Sequence, residues 1–297
     1  MKKILFLFFM ILGINIVLAQ DFELENKIIS IPEIKGFYMQ GFTTVDDKIL
    51  AIFITDDEKE SIFKVFDINT RKEIFSKTRG NVGHANDLAY NNKEEKIYIV
   101  HGGGTDIVHV FDTKYNHVED IKVGLPIRSL TYMEDKDVYI ARTVSSGFIY
   151  NSDFTLRNKL PFITAMNFSS DIARQGWSYH DGLLYYANWS WIRLGGDGSN
   201  FVRVYDLDGN KRDILNIKSG IGELEDVAFY DNKMVLGFDT YEGTIDFYLE
   251  EIPKIEELIE IEKKEEPTKK EKNYNYVYFI VGFVIFFVIG YIIKKRF

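Results

Sequence analysis

The chain has 297 residues, 46% of them hydrophobic and 15% aromatic, with 36 basic against 45 acidic side chains and no cysteine. The absence of thiols excludes disulfide staples, thiolate metal sites and a lipidated cysteine, so a packed core must supply the stability. A net charge of −9 repels phosphate backbones and anionic headgroups, which argues against nucleic acid as a partner and favours cations, basic proteins or neutral ligands.

Residues 1–19 read as a signal peptide. Lys2 and Lys3 precede an apolar run from Ile4 to Leu18, and Ala19 supplies the small residue at the cleavage position. Residues 20–250 are repetitive. QGFTTVDDKILAIFI from Gln40, NDLAYNNKEEKIYIV from Asn86, RSLTYMEDKDVYIAR from Arg128, QGWSYHDGLLYYANW from Gln175 and EDVAFYDNKMVLGFD from Glu225 align with one another at intervals of 42 to 50 residues. Each reads as a strand, a polar turn and a second, more apolar strand.

A third strand then ends as Lys64-Val65-Phe66-Asp67, His109-Val110-Phe111-Asp112 or Arg203-Val204-Tyr205-Asp206, and a fourth comes after it as KEIFSKT, VEDIKVG, NKLPF or KRDILNI. Four-stranded units at this period predict an all-β fold, a five-bladed β-propeller, in which no blade buries its faces alone. The fifth unit is one strand short, and Lys27 to Ile31 has no hairpin partner. The N-terminal strand is therefore expected to complete the last blade and remove both loose edges.

Residues 251–273 are more than half charged and read as a stalk. Residues 274–293 contain the uncharged run from Tyr276 to Ile293, long enough to cross a bilayer as a transmembrane helix, and 294–297 form a basic tail that the positive-inside rule places in the cytosol. The expected protein is a single-pass cell-membrane protein with its ectodomain outside, held to the lipid bilayer by its C-terminal helix.

The second unit, KIYIVHGGGTDIVHVFDTKYNHVEDIKVG from Lys96 to Gly124, resembles the bacterial surface propellers built on the YVTN repeat. The other units match that repeat poorly. The resemblance implies a propeller and a surface adhesin or binding role, while the fold itself hosts many functions.

Candidate ligand contacts come from the alignment. Gln40, Asn86, Arg128, Gln175 and Glu225 share one position before the inner strand, which predicts a ring of polar groups at a channel mouth. The same groups are equally suited to tying down turns or channel water. Nearby His84 and the loop NWSWIRLGGDGSN, with Trp189 and Trp191 as stacking surfaces, complete the expected rim. His101-Gly102-Gly103-Gly104 looks like an oxyanion loop, but no GxSxG elbow accompanies it and the glycines fall where the repeat needs a turn.

These residues predict a binding module that engages a glycan, a small polar ligand or an envelope protein, with no catalytic residue and no cofactor. Two alternatives remain open. One is a hydrolase or lactonase using Ca²⁺ held by Asp87, Glu225 and Asp226, as propeller lactonases of the gluconolactonase type hold a channel cation. The other is a scaffold that partners membrane proteins through its blade sides.

Overall fold

A computed structural model describes residues 19–144, 146–160, 172–190, 196–217 and 220–255. The expected signal peptide, all but the first residues of the stalk, the transmembrane helix and the basic tail lie outside the described residues. Among those residues no helix is long and apolar enough to cross a membrane.

The described chain is all β. It begins with β1 (Gln20–Phe22) and β2 (Lys27–Pro32). The first blade is β3 (Tyr38–Val45), β4 (Lys48–Ile54), β5 (Ser61–Asp67) and β6 (Lys72–Arg79); the second is β7 (Leu88–Asn91), β8 (Lys96–Val100), β9 (Ile107–Asp112) and β10 (His117–Lys122). The third holds β11 (Ser129–Met133), β12 (Val138–Arg142), β13 (Gly147–Asn151) and β14 (Leu156–Leu160), and the fourth β15 (Ile172–His180), β16 (Leu183–Ser190), β17 (Asn200–Asp206) and β18 (Lys211–Ile217). The fifth contains β19 (Gly222–Tyr230), β20 (Lys233–Thr240) and β21 (Thr244–Glu251).

Within each blade neighbouring strands are antiparallel, and β2 supplies the missing fourth strand of the last blade by pairing with β21. The expected closure is therefore the one the chain adopts. Glu250 reinforces it, its Oε1 accepting the backbone N–H of both Glu25 and Asn26 at 2.8 Å. An element that no periodicity announces is β1, which adds a fifth, parallel strand to the outside of the fourth blade. The N-terminal segment thus clasps two blades.

The first strands of adjacent blades neighbour one another around the axis, and β19 lies against β3, so the ring shuts. Five apolar clusters fill the five interfaces between blades. Phe42 meets Phe247 edge-on at 5.2 Å between the first and last blades, and Phe63 meets Phe111 at 5.0 Å between the first and second. Burying one such ring is worth about 1.5–3 kcal/mol, and part of that contact is with the neighbouring blade. Cooperation between blades is thus built into the packing.

The turns explain the polar pairs in the repeat. Asp181 and Gly182 have φ of 45° and 81°, and Asp231 and Asn232 have 49° and 56°, the left-handed pair that a two-residue hairpin needs. At the other end of the strands Gly102, Gly103 and Gly104 run at φ of 71°, 58° and 88° between β8 and β9. The oxyanion-like motif is a turn.

Candidate functional site

Every inner strand enters the ring at one end, the entry mouth, and turns back at the other, the hairpin mouth. The predicted polar column lies towards the entry mouth. In β3, β15 and β19 the ladder slips at this column, from Met39 to Gly41, from Arg174 to Trp177 and from Leu224 to Asp226. Gln40, Gln175 and Glu225 are therefore bulge residues without a cross-strand partner, and the bulge re-aims the residues after it.

Three side chains of the column, Gln40, Gln175 and Glu225, are engaged with neighbours, whereas Asn86 Oδ1 and Arg128 Nε are buried without a hydrogen-bond partner. The Gln40 side chain donates to the carbonyl of Met39 at 3.1 Å, and Gln175 Nε2 donates to Glu223 Oε1 at 2.6 Å and Glu225 Oε2 at 3.1 Å. Asn86 is buried beside Gly102, and the Arg128 backbone donates to the carbonyl of Arg142. Burial, then Glu223, Asp239 and Asp226, raises the Glu225 carboxyl well above its ordinary value.

One residue further along each repeat stand Gly41, Asp87, Ser129, Gly176 and Asp226. Here the inner strands present their free backbone edges to the axis, and the two carboxyls take up the amides. Asp87 Oδ1 accepts the N–H of Leu88 at 2.8 Å, and its Oδ2 accepts those of Leu130 at 3.1 Å and Trp177 at 3.2 Å. Asp226 Oδ1 accepts from Val227 at 2.7 Å and its Oδ2 from Phe42 at 3.3 Å. One amide from each of the five blades is satisfied.

Space for this pair is made by its neighbours. A side chain on Gly176 would run into the Asp226 carboxyl, and one on Gly41 would press on Ala85 and Leu88. Ser129 instead receives the buried Arg142, whose Nη2 donates to Ser129 Oγ at 2.7 Å. Burial raises the Asp87 carboxyl to about 7, against the pull of the three amides and Arg142, and burial together with Asp87 raises Asp226 well above its ordinary value. Two facing carboxyls in a dry site hold one proton between them, leaving one negative charge opposite Arg142.

Asp87 and Asp226 thus lie beneath the mouth rather than at it, with exposures of 1% and 0%. Asp87 and Asp226 accept from backbone amides and Glu225 accepts from the Gln175 side chain, and these three are not a group that brings three ligand atoms together among the described residues. The group that brings three ligand atoms within 4.8 Å among the described residues is His109, His117 and Asp120, on the second blade. Of the remaining rim residues, His84 Nδ1 pairs with Glu58 Oε1 at 2.8 Å. Trp189 belongs to β16 instead of an open loop, and Trp191 lies outside the described residues.

The large concavity opens at the hairpin mouth. A funnel of about 1040 Å³ is lined from all five blades. Tyr90, Tyr132, Tyr179 and Phe229 occupy one repeat position on its wall, with Thr44 at the same position in the first blade. His180 stacks on Phe229 at 4.4 Å, and burial lowers its pKa. Asp46, Glu134, Asp135, Asp181 and Asp231 rim the funnel against Lys93 and Lys136. The Thr44 hydroxyl donates to the Phe229 carbonyl at 2.6 Å, and the Tyr179 N–H donates to Thr131 Oγ1 at 3.0 Å, which ties the blades together below the carboxyl pair.

The fold and site define a five-bladed β-propeller with a plugged axis. No protein-family model and no curated protein matches the chain. Among solved structures it is similar to a chain of the crystal structure of a nidogen/laminin complex, at 12% identity and TM-score 0.45, covering 68% of this chain and 72% of that one. It is also similar to the structure of U3-55K, at 8% identity and TM-score 0.43, covering 73% and 99%. The assignment as a propeller rests on the strand pairing described above.

The carboxyl pair generates a prediction. Asp87→Ala strands three buried amides, each costing about 1–3 kcal/mol, and should remove several kcal/mol of stability in urea unfolding. Asp226→Asn keeps an acceptor and can donate to Asp87, so it should cost far less. Because the folded pair holds a proton that unfolded carboxyls of pKa 3.8 release, its contribution is full below pH 4 and is lost as pH rises through about 7. His101 and His180, with lowered pKa, act in the opposite sense. The wild-type profile minus that of Asp226→Asn should therefore decline between about pH 4 and 7, and a flat difference would contradict the shared proton.

Proposed function

We propose that this chain is a membrane-anchored extracellular binding module that receives a neutral or cationic polar ligand, a glycan or a segment of an envelope protein, in the funnel at the hairpin mouth. The observation that carries the reading is the funnel itself. All five blades contribute to it, four of them through an aromatic ring at one repeat position, and carboxylates outnumber lysines on its rim. Aromatic faces suit the apolar side of a sugar ring or an aliphatic side chain, and rim carboxylates accept from hydroxyls and ammonium groups.

This moves the proposed site from the entry mouth, where Gln40, Gln175 and Glu225 are engaged with neighbouring groups, to the opposite end. We favour binding over the hydrolase reading because two of the carboxyls that reading needs, Asp87 and Asp226, accept from backbone amides. Anchoring rests on the two terminal segments: the signal-like start, and the uncharged run before Lys294, Lys295 and Arg296. Protease added to intact cells should remove the propeller while a tag placed after Phe297 survives; a protected propeller contradicts the orientation.

Ligand placement is testable by saturation-transfer NMR with the full-length chain and a panel of neutral and amino sugars. Binding should fall about tenfold or more in Tyr179→Ala and Tyr132→Ala, a loss on the scale of one aromatic contact, and survive Trp189→Ala. The reverse pattern would return the site to the entry mouth. Millimolar Ca²⁺ should leave the melting temperature unchanged; a rise abolished by Glu225→Gln would favour the hydrolase.

A further inference from the structure

Four of the five histidines, His84, His101, His109 and His117, fall in or beside the second blade, and the funnel uses none of them. We propose that His109, His117 and Asp120 form a binding site for a divalent transition-metal ion of the zinc class on the outer strands of that blade.

The strands build the site in two steps. His109 on β9 lies directly opposite Asp120 on β10. His117 precedes Asp120 by three residues, which in a regular strand puts the two on opposite faces. The ladder slips between His117 and Glu119, and the extra residue brings both side chains to one face. His109 Nδ1 and His117 Nε2 each lie 2.7 Å from Asp120 Oδ1.

Three ligand atoms within 4.8 Å of one another need only a small adjustment to surround an ion at the roughly 2.0–2.2 Å of zinc–nitrogen and zinc–oxygen bonds. Two imidazoles and a carboxylate are a zinc-type donor set, and the fourth tetrahedral position is left for water. An outer contact is already in place. His109 Nε2 lies 2.8 Å from His101 Nδ1, so with Nδ1 on the metal the Nε2–H donates to His101.

The propeller itself does not require imidazoles here. The same corner holds Lys64 and Glu73 as an ion pair in the first blade, Phe148, Leu156 and Lys159 in the third, and Arg203, Lys211 and Ile214 in the fourth. All four blades carry the same slip, yet only the second places metal-binding side chains around it.

The test is calorimetric titration of the untagged full-length chain, stripped with chelator, with Zn²⁺ alone, and with Co²⁺ alone followed by visible spectroscopy. The site predicts one ion per chain and the strong visible bands of tetrahedral Co²⁺. His117→Ala and Asp120→Asn, at positions 49% and 51% exposed, should leave the melting temperature in chelator unchanged. Each should weaken Zn²⁺ at least about tenfold, and His101→Ala should weaken it about 10–100-fold at unchanged stoichiometry. Failure to bind one Zn²⁺, or an affinity indifferent to both ligand variants, overturns the proposal and leaves the cluster as a hydrogen-bonded group on the blade surface.

Discussion

Five inner strands converging on one axis present a problem of unpaired donors. Each turns a free backbone edge inward, and a buried N–H without an acceptor costs about 1–3 kcal/mol. Asp87 and Asp226 solve it with four carboxyl oxygens for five amides, one from every blade. Much else depends on this arrangement. Gly41 and Gly176 leave room, Ser129 leads to Arg142, and the pair retains a proton because two bare carboxylates in contact would repel in a dry site. The apolar clusters between blades hold the ring together from outside, and the carboxyl pair holds it from within.

Plugging the axis has a functional consequence. The buried carboxyl pair closes the axis between the two mouths, and among the described residues the hairpin side offers a large lined space. On the entry side Gln175 is spent on Glu223 and Glu225, while Asn86 Oδ1 and Arg128 Nε are buried without a partner. In the proposed reading, a ligand at the hairpin mouth meets aromatic rings carried on the inner strands beside their hairpin turns. Rigid walls of this kind bind without paying to order loops.

Much of the architecture was legible in the sequence because propeller blades repeat a simple pattern. The polar turn pairs, the Val-aromatic-Asp strand ends and the orphan strand at Lys27 to Ile31 set the blade count and the closure. The β1 clasp was not legible, since three residues, Gln20 to Phe22, carry no periodicity. At the site, alignment drew notice to one column and passed over the next. The column of Gln40, Asn86, Arg128, Gln175 and Glu225 drew notice for its polarity, whereas the next one, with two glycines, a serine and two aspartates, had the composition of an axis where only small residues and acceptors fit. The bulges that separate the two columns do not show in a pattern of period two, and the same kind of bulge hid the meeting of His117 with Asp120.

Amide hydrogen exchange measured by NMR tests the carboxyl hub most directly. The N–H groups of Phe42, Leu88, Leu130, Trp177 and Val227 should all exchange at the slow limit set by global unfolding, together and irrespective of the blade to which they belong. Exchange of any of them at the rate of an exposed strand edge, while the inter-blade core remains protected, would contradict an axis closed by Asp87 and Asp226.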